Sequence, residues 1–165
     1  MTPPSPSASL PRLTPVAPDD APFLAALFRS GPVAARLALL PEPLREQLLA
    51  HQEAGQLATW RARFGDAGDR VVRLGDERVG RLWTARLGDD ELRVVDIALA
   101  PAHRGRGLGT TLLEGVIADA RREGRRVTLR VARDNPALRL YLRRGFAVVA
   151  EEPLDLELSR APDPS

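Results

Sequence analysis

The segment from Val94 to Gly124 constrains this chain more than any other. A short apolar run, Val94-Val95-Asp96-Ile97-Ala98-Leu99, leads into Pro101-Ala102-His103-Arg104-Gly105-Arg106-Gly107-Leu108-Gly109, and an amphipathic pattern follows at once. The pattern predicts a strand, a glycine-rich turn and a helix N-terminus joined without a linker. Such a junction aims several backbone N–H groups at one point, where the helix dipole adds partial positive charge. Glycines carry no Cβ, so a bulky anion can approach the main chain closely. The chemistry implied is a phosphate or diphosphate cradle.

Two common cradles do not fit. A P-loop needs Gly-Lys-Ser/Thr, and the chain has no lysine: its 24 basic residues are all arginine. A dinucleotide fingerprint needs G-x-G-x-x-G followed by an acidic residue on a second strand. Here Gly105-Arg106-Gly107-Leu108-Gly109 brings the last glycine one residue early, and no acid follows at the expected distance.

Downstream, Leu108, Leu112, Leu113, Val116, Ile117 and Ala120 share one helix face, and Gly124 stops the helix with Arg121 and Arg122 in its last turn. Val127, Leu129 and Val131 then alternate as a strand. Strand, helix and strand at this spacing predict a parallel βαβ unit. A second helix is expected after Asn135, with Asn135 as N-cap, Pro136 at its first position and Gly145 just past its end. On it, Leu138 and Leu142 are expected to face inward, with Tyr141 sharing much of that face.

Arg104, Gly107 and Gly109 fill the fixed positions of R/Q-x-x-G-x-G/A, and this segment resembles the acetyl-CoA signature of the GNAT superfamily of N-acetyltransferases. The segment with Asn135, Leu140-Tyr141 and Gly145-Phe146 is similar to the second hallmark of that superfamily. The resemblance spans about residues 90–158. It implies an α+β fold whose mixed central sheet of six or seven strands carries helices on both faces, and an enzyme using acetyl-CoA as co-substrate without a metal.

The upstream half fits that order without carrying a motif. A strand is expected within 10–16, weakened by Pro11 and Pro15. A helix capped by Asp19 or Asp20 runs to about Arg29, and a second helical region, opened by Pro41 and Pro43, covers Leu44 to about Phe64, where Gly55 is a point of interruption. Three strands follow, Arg70–Leu74, Arg78–Leu87 and Glu91–Leu99, joined by turns at Gly75 and Gly88. The expected organisation is a disordered tail over residues 1–9, one domain over 10–160 and a frayed end over 161–165.

The resemblance assigns roles. The diphosphate would rest on the amides of Arg104, Gly105, Arg106, Gly107, Leu108 and Gly109, with Arg104 the favoured source of side-chain charge. The pantetheine arm would lie where the Ile97–Leu99 strand and the Val127–Ala132 strand splay apart, against main-chain groups of Ala98 and Leu99. Asn135 would add a hydrogen bond to the arm as well as capping its helix. Tyr141 would protonate the departing thiolate, since a phenol with a pKa near 10 keeps its proton at neutral pH. The base is less defined. Asp96 sits in an apolar strand, where a carboxylate needs a partner or a shifted pKa; by strict alternation it shares a face with Val94 and Ala98. The strand carboxylate usual in the superfamily falls nearer Arg93, which is no base. Glu91, Glu151, Glu152 and Asp155 are weaker candidates, and a water chain is another.

Composition narrows the partners. The net charge is +2, and arginines at 121–126 and 139–144 read as a solvated face and dipole complement rather than a nucleic-acid footprint. With no cysteine and two distant histidines, neither a thiol nucleophile nor a zinc site is expected. No signal peptide or membrane span is legible, so a cytoplasmic protein without membrane contact is expected. The resemblance places the acceptor site in the Phe23–Ala50 region with Trp60, Phe64 and Trp83, although the two tryptophans fit core anchors better. The N-terminal region lacks an acidic cluster, which favours a small amine or amino-acid-like acceptor over a polycation. Two other readings stay open: a non-catalytic acyl-CoA sensor and a protein N-terminal acetyltransferase. Members of the superfamily commonly form homodimers, and no interface is specified here.

Overall fold

The computed structural model describes residues 9–164. Most of the expected tail, residues 1–8, and Ser165 lie outside the described residues. The chain runs β1 (Arg12–Pro15), α1 (Ala21–Arg29), α2 (Pro32–Arg36), α3 (Glu42–Phe64), β2 (Asp69–Leu74), β3 (Glu77–Leu87), β4 (Glu91–Leu99), α4 (Leu108–Glu123), β5 (Arg126–Ala132), α5 (Leu138–Arg143), β6 (Ala147–Glu151) and β7 (Asp155–Arg160). One seven-stranded sheet has the order β1-β2-β3-β4-β5-β7-β6. Every neighbouring pair is antiparallel except β4 and β5, which are parallel. That exception is the expected βαβ crossover through α4.

On one face of the sheet, α4 buries Leu108, Leu112, Leu113, Val116 and Ala120 against Leu92, Val94, Val127, Leu129 and Val131. Tyr141 and Phe146 join the same core, their rings edge to face at 5.8 Å. The other face carries the N-terminal helices. Trp83 of β3 is fully buried there, its ring edge to face with Trp60 of α3 at 5.7 Å and its Nε1 donating to the Gly65 carbonyl at 3.0 Å. Trp83 is thus the expected core anchor, with its one polar atom satisfied.

Four local expectations are corrected. Helix α3 runs unbroken through Gly55, because intrinsic propensity yields to a 23-residue helix packed on the sheet. The short helix α2 carries no pattern long enough to read. Asp20 ends a 3₁₀ turn and is buried, but its side chain does not cap α1. Its Oδ2 accepts from the Ala17 amide at 2.8 Å, while its Oδ1 accepts from Arg78 Nε at 2.6 Å and Arg73 Nη2 at 3.1 Å. Helix α5 starts at Leu138, after a turn in which Asn135 Oδ1 accepts from the Ala137 amide at 2.9 Å, and Leu142 is exposed.

Burial by itself would raise the pKa of Asp20. The Arg78 and Ala17 hydrogen bonds, with the charges of Arg78 and Arg73, outweigh it and hold the carboxyl below its ordinary range. Such a group contributes stability above the unfolded carboxylate pKa and loses it as pH falls through the lower native value. Asp20→Ala is therefore expected to cost about 2 kcal/mol at pH 7, less than a fully enclosed pair because Arg78 is only half-buried. The deficit should shrink on acidification. Urea midpoints of both proteins at neutral and acid pH check this.

Candidate active site

The ladder between β4 and β5 is short. It pairs Glu91 with Arg126 through Val94 with Leu129 and stops, while β4 runs on to Leu99 and β5 to Ala132. The break coincides with a bulge. Thr84 of β3 pairs with Val94 and Trp83 with Asp96, so Val95 is an extra residue in β4. The bulge corrects the expected alternation. Val94 faces the α4 core together with Ile97 and Leu99, whereas Asp96 and Ala98 open on the other face.

That other face holds a cleft of about 790 Å³. Its walls are Leu24, Leu27 and Phe28 of α1, Val33 of α2, and Leu57 and Trp60 of α3. Asp69, Arg81, Asp96 and Ala98 reach it from the sheet. Of the aromatic residues expected near an acceptor, Phe28, within the 23–50 region, and Trp60 line this cleft; Phe23, Phe64 and Trp83 do not. The Asp69–Arg81 pair carries no motif. Its signal was an arginine inside the apolar strand segment Val79 to Trp83, which demands a buried acid.

Asp96 is a perturbed acid. Burial pushes its pKa up to about 6; the Arg81 charge pulls it down, the Asp69 charge pushes it up, and the Ile97 amide favours the ionised form. Tyr141 is buried in the core on the α4 side of the sheet. Burial, then the charge of Asp96, pushes its phenol up to about 12. Asp96 lines the cleft on one face of the sheet, Tyr141 is packed in the core on the other, and the charge of the first acts on the second.

The glycine-rich loop sits at the end of β4. Gly105 and Gly107 have φ of +72° and +82°, and a Cβ on either would point into open space. Gly107 caps α4 in the left-handed conformation, and a Cβ on Gly109 would lie 3.7 Å from Leu99 Cδ1. Both glycines take a left-handed φ that L side chains rarely adopt, and they leave the main chain of this loop uncovered. Arg104 does not stand free. Its Nε donates to the Leu99 carbonyl at 2.9 Å, and its Nη2 to Ser30 O and Oγ at 3.0 and 3.1 Å. Arg106 is exposed and makes no ion pair among the described residues. His103 bonds Glu77 at 3.0 Å, and His51 lies on the exposed side of α3.

Three of the other candidate acids are engaged elsewhere. Glu91 meets Thr128 and Arg126, Glu151 meets Arg133, and Glu152 meets Arg130. Arg93 is buried and ion-paired with Glu157.

A mixed sheet splayed at its parallel pair, with a glycine cradle at the splayed strand's end, defines an acyltransferase fold. The sequence pattern of the acetyltransferase (GNAT) family matches residues 36–146, and the chain belongs to that family. It is 36% identical over 95 residues to the mycothiol acetyltransferase of Corynebacterium efficiens, a match covering 56% of this chain and 31% of that protein. The chain thus aligns with less than a third of that curated relative's length. The coenzyme A complex of PaiA N-acetyltransferase from Thermoplasma acidophilum has the same fold, with a TM-score of 0.67 at 14% identity over 92% of this chain and 98% of that one. An acetyltransferase from Thermus thermophilus is 25% identical, with a TM-score of 0.62 over 93% of this chain and 98% of that one. No helix among the described residues is long and apolar enough to cross a membrane.

A carboxyl whose native pKa is raised destabilises the fold once ionised. Below the unfolded pKa both states are protonated and nothing is lost; above about 6 the full cost is present. Asp96→Asn keeps the shape of the protonated form. It is expected to raise stability by roughly 1–3 kcal/mol at pH 8 and to leave it almost unchanged near pH 3.5. Thermal unfolding of both proteins across pH measures the difference.

Proposed function

We propose that this protein is an acetyl-CoA-dependent N-acetyltransferase of the cytoplasm that acetylates a primary amine of a small molecule. The observation that carries this reading is the cleft ending on Asp96 at the point where β4 leaves β5. An amine entering there meets the gap between the strands from the side opposite Tyr141.

The amides of residues 104–109 would hold the diphosphate, with Gly105 and Gly107 leaving room and Arg106 offering its charge. The arm would lie along the unpaired edge of β4 at Ala98 and Leu99. Leu99 O already accepts from Arg104, so amide donors of this strand segment are the better handles for the thioester carbonyl. Asn135 Oδ1 accepts from Ala137, which leaves its amide N–H groups for the arm.

The acceptor nitrogen attacks the thioester carbonyl carbon. A C–N bond forms and the C–S bond breaks. The surplus proton on nitrogen, strongly acidic after attack, passes to the Asp96 carboxylate. The sulfur leaves with the proton of Tyr141. The two transfers are coupled: neutralising Asp96 removes the charge that raises the pKa of Tyr141, so the phenol becomes the stronger acid as the thiolate develops. The apolar walls suit an acceptor with an aliphatic or aromatic body. The cleft is bounded by three helices, which favours a small molecule over a protein N-terminus. Asp96, Tyr141 and the cradle together favour catalysis over passive acyl-CoA sensing.

Calorimetry with CoA and thiol release from acetyl-CoA over a panel of amines test the reading. CoA uptake with turnover of small amines is expected; uptake without turnover of any amine favours the sensor, and turnover of peptides alone favours the N-terminal enzyme. Tyr141→Phe should lower kcat about a hundredfold or more while CoA affinity stays within a few-fold. An unchanged kcat at saturating acetyl-CoA removes Tyr141 from the chemistry. The wild-type kcat/KM should fall as pH drops through about 6, as Asp96 takes up its proton, and Asp96→Asn should abolish that limb.

A further inference from the structure

Asp69, Trp83 and Asp96 stand opposite one another across β2, β3 and β4, and Val71, Arg81 and Ala98 form the next such row. Asp69 and Arg81 are 4% and 7% exposed. Arg81 Nε donates to Asp69 Oδ1 at 2.8 Å and Nη2 to Asp69 Oδ2 at 2.6 Å, a two-point pair. The guanidinium carbon lies 4.7 Å from the centre of the Trp83 ring, and Trp60 buttresses that ring from the cleft side. The cation is therefore fixed on three sides: by a carboxylate, by an aromatic face and by the strand that carries it.

We propose that Asp69 is a positioning residue: by engaging two nitrogens of Arg81 it turns the guanidinium away from Asp96 and leaves that carboxylate free to receive the acceptor's proton. The proposal rests on Asp96 being the base. An arginine paired directly with Asp96 would hold it ionised and make it a poor proton acceptor. An Asp96 with no cation nearby would stay protonated to higher pH and be inactive near neutrality. The Asp69–Arg81 pair gives the intermediate condition, a neighbouring cation acting through space with its fork engaged elsewhere. Arg81 and Asp69 act on Asp96 with opposite signs, as this arrangement requires. The remaining ionisable groups around Asp96 are Tyr141 of α5, across the gap, and Glu53, Arg61, Asp66 and Arg70, which share the cleft. Helices α1 and α2 contribute only apolar or main-chain lining.

The test uses the full chain. Isotope-edited NMR of the aspartate carboxyl carbons follows Asp96 directly, its signal assigned by Asp96→Asn, and the pH dependence of kcat/KM is recorded with acetyl-CoA and the best amine of the panel. Asp69→Asn should lower the Asp96 midpoint by about one unit or more as Arg81 turns to it. Arg81→Gln should raise it. Loss of the Asp69 charge alone would lower the midpoint only slightly, since its effect on Asp96 is weaker than that of Arg81. A fall of a unit or more therefore reports Arg81 turning onto Asp96, and an unchanged midpoint in either variant counts against the proposal if the other does not fold. Asp96 midpoints that stay at the wild-type value, or that move in the same direction, overturn the proposal. If the midpoints move oppositely while the acid limb of activity survives in Asp96→Asn, the assignment of Asp96 as base fails. The pair's control of that carboxyl then stands without a catalytic purpose.

Discussion

The hydrogen-bond ladder between β4 and β5 ends after four residue pairs, and the rest of the site depends on that ending. A sheet interior tolerates few unpaired main-chain groups. Here the pairing fails at the one parallel junction, beside the Val95 bulge. The bulge does two things at once. It ends the ladder, which leaves an edge of β4 within the sheet, and it resets the side-chain alternation, so that Ile97 and Leu99 continue the α4 core while Asp96 and Ala98 face the cleft. Without the extra residue, the apolar set beyond Val94 would have pointed away from α4.

The same carboxylate chemistry serves different ends on the two sides of β3. Asp20 is buried and grips two arginines and an amide, so its charge is stabilised and it ties the start of α1 to β2 and β3. Asp69 also holds an arginine with two hydrogen bonds. Asp96 is desolvated and attracted by Arg81 only through space, and its raised pKa is the signature of a charge left uncompensated. A fold can carry such a group only because other interactions offset the cost. The well-paired carboxylates around it supply part of that offset.

Much of this could be read from residues, and the parts that could not have definite causes. Alternation in Val127, Leu129 and Val131, the glycines at 75 and 88, and the apolar stripe of α4 each encode local structure through a short-range rule, so the strands and that helix were legible. The bulge was not, because Val94-Val95 looks like uninterrupted strand and its extra residue is set by pairing with Thr84 and Trp83. Arg104 is the favoured charge for the diphosphate on sequence grounds, and only the fold shows that its length lets it reach Ser30, 74 positions away in sequence. Asn135 carries cap chemistry, but the turn at Pro136 and Ala137 displaces the helix start to Leu138. Asp96 was recognisable as an anomaly in an apolar strand; what it faces is a tertiary fact.

Composition also limits which groups can move a proton. Arginine stays charged at any working pH, and with no lysine or cysteine the chain has neither an ammonium nor a thiol side chain to tune. Its two histidines lie away from the cleft, one on the exposed side of α3 and one held by Glu77. The side chains left that environment could tune toward proton exchange are the carboxylates and the single tyrosine of the chain. An acid ordinarily near 4 and a phenol near 10 are poorly matched to neutral conditions, and only environment can change that. Burial in the cleft brings Asp96 to about 6. Its ionisation state in turn acts on Tyr141 across the open strands. A site built from these two groups would require both desolvation and proximity, and Asp96 lies just past the point where β4 parts from β5.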